Sequence, residues 1–328
     1  MSRRGMMVLV GLGALLALAA VVRLLVGPSA GGTLLALPAT GEVWSIRLTR
    51  VALGVIVGGS LGVAGAMLQS LLRNPIASPD LLGMASGAAL ALLVVAFAST
   101  IGIAGSVALR TPAAVAGSMA VLAVVYALGQ RRGLIEPVSL ILVGVIISIV
   151  AASIGQLLVQ LMGERGFIAG RLLLGTLRDD ATRTEMGVAG AMLAIGALLG
   201  AAWGPAMDAA SMGEDEARSV GVRLKRLRAG LLLASGALTA GAVVLAGPIG
   251  FVGLIAPHGV RLIAGPGNRV VVLGAGLAGA ALIVAGDALV MALPLSTGRV
   301  PLSIVTAIIG GPVFIAMLRR EMRRGVRL

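Results

Sequence analysis

The sequence has no cysteine, one histidine (His258), one lysine (Lys225) and one tyrosine (Tyr126) in 328 residues. Without cysteine there is no disulfide, no thiol nucleophile and no cysteine metal site. His258 follows Pro257 in an apolar stretch with no Asp, Glu or Cys cluster beside it, so it reads as a packing or capping group rather than a metal ligand. Lys225 sits in VRLKRLR, outside any Gly-x-x-x-x-Gly-Lys-Ser/Thr frame. The chain therefore carries no phosphate-binding P-loop and does not hydrolyse ATP by that route. Aromatic residues are 2%, too few to stack nucleic-acid bases, so the net charge of +13 does not read as a nucleic-acid surface. Charged residues are 12%, where a soluble domain carries about a quarter.

What is present is apolar: 58% hydrophobic residues and a mean hydropathy of +1.07. Period-2 alternation, which a transmembrane barrel needs, is absent. An all-α integral membrane protein remains. Runs free of Asp, Glu, Lys and Arg cover 5–22, 51–72, 81–109, 111–130, 137–163, 186–207, 229–260, 270–286 and 300–318. Gly247, Pro248 and Gly250 divide 229–260 into 229–246 and a short segment 250–263, and the run ending at 286 continues past Asp287 to about 292. That predicts ten segments in one domain, 1–328. Arg3 and Arg4 before 5–22 resemble a signal-peptide head, yet the rest of the chain is membrane helix, and 5–22 is read as a retained first helix. With both termini cytoplasmic, 17 of the 26 basic residues fall inside and nine outside, as the positive-inside rule asks. The segment 250–263 is too short to span alone and needs shielding by neighbouring helices.

Particular residues stand out. Gly54, Gly58 and Gly62 recur every four residues, a stripe that lets helix backbones approach closely. Asp287 is the one acid well inside a span; it reads first as a helix-contact group and second as a proton relay. RNPIASPDLLG at 73–83 is a Pro-bent turn at the inner membrane edge. The stretch 205–228, PAMDAASMGEDEARSVGVRLKRLR, opens at Pro205 and reads as a structured cytoplasmic loop with short helices ending at Gly213 and near Gly221. GPIGFVGLIAPHGVRLIAGPG at 247–267 is a broken helix, and VPLSIVTAIIGGPVF at 300–314 a Pro-bounded helix with a Gly-Gly-Pro kink.

These segments, in this order, resemble the FecCD-type permease subunits of ABC importers for iron chelates, haem and cobalamin. The resemblance rests on RLTRVALGVIVGGSLGVAGAMLQSLLRNPIASPDLLGMASGAA at 47–89, MGEDEARSVGV at 212–222, GPIGFVGLIAPHGVRLIAG at 247–265 and VPLSIVTAIIGGPVF at 300–314. It implies a ten-helix transmembrane bundle of the type II ABC importer permease kind, in the cell (inner) membrane. It also implies a second permease subunit, identical or closely related, two ATP-binding subunits, and an extracytoplasmic substrate-binding protein. No cofactor belongs to this chain; ATP and Mg are bound by the partner ATPase. The loop matching 212–222 would couple to that ATPase, through Gly213, Glu214, Ala217, Arg218 and Gly221. Arg47 and Arg50 would face outward to pair with acids of the binding protein, with Arg299 near a third such site. Two positions depart from the pattern: Arg299 stands where the family usually has Glu, and Ser303 where it usually has Gly. A ferric siderophore is the expected cargo, with haem and cobalamin also open.

Ser153, Gln156 and Gln160, at i, i+3 and i+7, share one helix face. Polar side chains do not face lipid cheaply, so this face meets a partner helix or a wet channel; the resemblance favours the channel. The alternative function is a stand-alone secondary transporter that couples to protons through Asp287.

Overall fold

The computed structural model describes residues 2–27, 40–103, 107–131, 134–135, 137–293 and 299–325. Its helices are α1 (Arg3–Leu25), α2 (Gly41–Leu71), α3 (Met84–Thr100), α4 (Arg110–Leu128), α5 (Pro137–Leu161), α6 (Glu164–Gly170), α7 (Arg183–Met212), α8 (Glu214–Ser219), α9 (Leu224–Ala246), α10 (Val252–Ala264), α11 (Asn268–Ala292) and α12 (Leu302–Gly325). Among the described residues, two 3-10 turns and one antiparallel pair of two-residue strands, Gln130–Arg131 with Leu134–Ile135, complete the elements. Among the described residues, α1, α2, α4, α5, α7, α9 and α11 are long and apolar enough to cross a membrane. The other three apolar segments, in α3, α10 and the first part of α12, form shorter helices. Arg132 and Arg327, two of the 17 basic residues read as cytoplasmic, lie outside the described residues.

Burial sorts the helices into a centre and a rim. α2, α9 and α11 have most of their apolar windows buried, whereas α1, α4, α5 and α7 leave most of theirs exposed. Leu53, Val57, Val243, Leu245 and Ile283 join in one core cluster, and Met67, Met207, Leu231, Leu238 and Val272 in a second. The glycine stripe makes the closest contact at the centre. A methyl group added at Gly58 would strike the Gly279 carbonyl, and one at Gly62 the Ala275 carbonyl, both on α11. Gly65 continues the row against the Gly253 carbonyl of α10.

The break after α9 is real: Gly247 turns the chain at φ +68, and α10 starts only after Phe251, itself left-handed at φ +68. Two expectations change. The run 81–109 is not one helix, because α3 ends at Thr100 and the chain turns at Gly102, φ +80. Pro205 does not open a helix; it lies inside α7. Proline deprives the carbonyl four residues earlier of its N–H donor. Here that carbonyl, on Ala201, accepts from Arg269 Nε at 3.0 Å, so the helix continues with the lost bond replaced.

Candidate functional site

At one end of the bundle, α7 stops at Met212 and α8 follows after Gly213. α8 is one and a half turns long, too short to persist alone. Three contacts hold it. Ala217 is fully buried and its carbonyl accepts from Val222 N at 2.9 Å. Glu214 accepts from Arg228 of α9 at 2.6 Å. Gly221 closes the turn at φ +82, a left-handed conformation that costs other residues about 1–2 kcal/mol. The Arg228 guanidinium holds the Glu214 carboxyl below the usual carboxylate range, so this contact stays ionised at neutral pH. The opposite side of α8 is free for a partner. Arg218 is 65% exposed and pairs only within its own helix, with Glu214 and Asp215, and the flanking Met212 and Val220 are exposed apolar groups. All five residues expected to couple therefore sit on or beside one anchored helix.

At the other end, charges gather inside the protein. Asp287 of α11 is buried and shared by two arginines. Arg23 of α1 pairs with its Oδ2, and Arg50 of α2 donates from Nε to Oδ2 at 3.2 Å and from Nη2 to Oδ1 at 2.6 Å. Arg50 also pairs with Asp179, whose second oxygen accepts from Arg299 at 2.8 Å. A line of five charges thus runs from α1 to the start of α12. A neighbouring group joins Arg178 to Asp180 at 2.6 Å and sets Arg178 and Arg110 each 3.6 Å from buried Glu185. The Arg178 hydrogen bond keeps Asp180 below the usual carboxylate range. Glu185 also completes a capping box with Thr182 that starts α7.

Between these charges and α5 lies a cleft of about 650 Å³. Its walls include Arg50, Gln156, Phe167, Arg171, Asp179 and Arg299. Ser153, Gln156 and Gln160 all lie on the exposed face of α5, but they are not equivalent. Gln156 borders the cleft, whereas the Ser153 hydroxyl donates to Ile149 O of its own helix at 2.9 Å.

The profile of the FecCD transport family matches residues 7–320. The chain belongs to the FecCD transport family. It is 36% identical over 289 residues to the cobalamin import system permease protein BtuC of Halobacterium salinarum, covering 87% of this chain and 76% of that protein. To the hemin transport system permease protein HmuU of Yersinia pestis it is 32% identical over 289 residues, covering 87% and 86%. A solved chain of an ABC transporter of the metal-chelate type, in an inward-facing conformation, superposes with a TM-score of 0.79 at 26% identity, over 96% of this chain and 99% of that one. The protein is a FecCD-type permease, a multi-pass membrane transport component.

Within this FecCD permease, Arg47 and Arg50 do not present their charges outward, contrary to expectation. Both are buried: Arg50 is consumed by Asp287 and Asp179, and Arg47 donates to Leu24 O at 2.5 Å. Burying an arginine is tolerable only when partners replace water; here Asp287 and Asp179 take the Arg50 donors and Leu24 O accepts from Arg47. Arg299 is the one of the three that remains about half exposed. A relay role for Asp287 finds no support, since both its oxygens are bound by arginines. Sequence reasoning missed Arg23, Asp179 and Arg228. Three arginines (Arg171, Arg178, Arg183) set among three acids (Asp179, Asp180, Glu185) were the local sign of an ion network there.

Proposed function

We propose that this chain is the membrane-spanning permease subunit of a binding-protein-dependent ABC importer that carries a metal chelate inward. The carrying observation is α8: a short helix clamped by Ala217, Glu214 and Gly221, with Arg218 and two apolar flanks turned outward. That is the form a rigid body needs if it is to receive force from a separate ATPase and pass it to α7 and α9. ATP and Mg belong to that partner. Ten crossings with both termini cytoplasmic place α8 on the ATPase side and the Asp287 cluster outside. The exposed apolar row Val138, Leu142, Ile146 and Ile149 on α5 suits a second permease subunit, identical or closely related, with the cargo path between the two. Arg299 is the docking candidate for an extracytoplasmic binding protein.

Arg218→Glu and Gly221→Asp test the coupling. Arg218 is exposed and weakly paired, so Arg218→Glu should insert and fold; Gly221→Asp has open space for its side chain but must hold the turn at φ +82, a strain of about 1–2 kcal/mol that loosens α8 rather than the bundle. Transport reconstituted with the ATPase subunits is expected to fall about tenfold or more, the equivalent of about 1.4 kcal/mol at the docking contact. Full uptake in both variants would remove α8 from the mechanism.

For cargo, we favour a ferric siderophore within the metal-chelate class. The relatives named above are systems for cobalamin and hemin, which makes the size of the cargo a firmer guide than its chemistry. Competition of a labelled ferric siderophore against cobalamin and haem in ATP-driven vesicles decides this. Uptake of cobalamin or haem but no siderophore would reject the assignment while leaving the importer reading in place.

A further inference from the structure

Arg299 and Ser303, the two positions that depart from the family pattern, both contact one segment, 174–179. Arg299 Nη1 donates to Asp179 Oδ2 at 2.8 Å. Ser303 Oγ donates to Leu174 O at 2.6 Å, and Ser303 N to Gly175 O at 3.0 Å. The start of α12 is therefore pinned to this segment at two places. The pinned residues Leu174, Asp179 and Arg299 border the cleft itself, whose wall continues through Val300, Pro301, Leu302 and, on α11, Val290.

The line of charges is graded along its length. Asp287 and Arg50 are 2% and 6% exposed, whereas Asp179 and Arg299 are 58% and 55% exposed. An ion pair in water is weak and easily exchanged, while a dry, multiply bonded one is not. If the line breaks, it breaks between Asp179 and Arg299. Asp179 loses little at that moment, because Arg50 keeps its other oxygen. Ser303 adds a bond of ordinary strength to a backbone carbonyl. The arrangement has a fixed half, Arg23–Asp287–Arg50–Asp179, and a releasable half, Arg299 and Ser303.

We propose that Asp179, Arg299 and Ser303 form a latch that closes the start of α12 over the cleft, and that its release is required for cargo to pass. The second part rests on the importer reading above; the first does not.

The absence of cysteine makes the test direct. Val290→Cys places a thiol on a buried position of the cleft wall, 4% exposed. Its rate of labelling by a membrane-impermeant maleimide, in vesicles exposing that end and without nucleotide, reports the closed fraction. Adding Ser303→Gly, Asp179→Asn or Arg299→Gln should each raise the rate roughly three- to tenfold, the range expected from losing one such bond. Ser303→Gly touches no charge, so it separates the latch from any disturbance of Arg50. A cysteine at buried Ala240 should stay unlabelled in every background, which shows that the variants remain folded. Unchanged Val290→Cys labelling in both Ser303→Gly and Asp179→Asn overturns the latch. Leu174→Cys with Ser303→Cys, joined by a short reducible cross-linker, spans the other pin and leaves Arg299 in place; it should stop uptake, and reduction should restore it. Uptake that continues in the cross-linked protein overturns the requirement for release, whatever the labelling shows.

Discussion

Replacing Asp287 with alanine should cost this protein its fold at one end of the bundle rather than silence a proton relay. Asp287 is 2% exposed and is the counter-charge for two arginines, Arg23 and Arg50, that are themselves buried. Alanine leaves one of them, Arg23, with no acid among the described residues and takes from Arg50 its bidentate partner. Breaking a buried pair by removing one member costs about 3–5 kcal/mol. That is a large share of the roughly 5–15 kcal/mol that holds a typical protein together. The expected result is loss of monodisperse protein in detergent, or a fall in Tm of many degrees. Asp287→Asn, which keeps the shape and part of the hydrogen bonding, should lie between alanine and the parent. The reverse combination separates charge from shape. Arg23→Met with Asp287→Met removes a pair together and leaves Arg50 on Asp179, so it should recover much of the loss. A relay predicts the opposite order: a stable Asp287→Asn protein with no ion-coupled activity. A parental melting temperature for Asp287→Ala would show that the two arginines find solvent or other partners.

Why this cluster was hidden in the sequence follows from its geometry. Arg23 and Asp287 are 264 residues apart, and Arg50 and Asp287 237 apart. No local period links such positions. Arg47 and Arg50 lie near the start of α2, where an arginine facing water and one facing a buried acid leave the same local pattern; the choice is made by α11. Runs of apolar residues, by contrast, carry their own length, and the ten apolar segments each acquired a helix. The break at 247–251 was also legible, because Gly and Pro act on the backbone locally. Pro205 misled for the same reason. The local rule predicts a helix start, and the donor that lets α7 continue, Arg269, comes from a distant part of the chain.

At the α8 end the sequence did better, since 212–221 is nearly self-contained. Its bonds from Ala217 N to Gly213 O and from Gly221 N to Arg218 O span four and three residues. The Val222 N bond to Ala217 O comes from the next residue along, and the Arg228 anchor from α9. The polar face of α5 was legible as a face, yet its three members have different surroundings, which only the cleft separates.

The glycine stripe supports the second large prediction: Gly62→Val should prevent the bundle from assembling. The added Cβ would land on the Ala275 carbonyl, a backbone atom of α11 that cannot rotate away as a side chain can. Overpacking a core costs about 1–3 kcal/mol when side chains can yield; a collision of backbone with backbone should exceed that range. Gly58→Val meets the Gly279 carbonyl and Gly65→Val the Gly253 carbonyl, so each should fail in the same way. Gly13→Ala on α1 is the control. Its Cβ would meet nothing within 4 Å, and in a helix alanine is favoured over glycine by about 0.5–1 kcal/mol. It should melt at or slightly above the parent temperature. The measurement is the folded fraction by size-exclusion chromatography, with melting of whatever survives. Normal folding of Gly62→Val would mean that α2 and α11 can separate without loss, which bears on function as well as stability. α2 is 31 residues long, about 46 Å at 1.5 Å per residue. It carries Arg50 near one end, and at the other it leads into Arg73, which donates to Ala210 O two residues before the end of α7. A displacement of α2 would therefore reach both the charged cleft and the base of α8. The close glycine contact makes the centre stiff enough for one end to respond to the other.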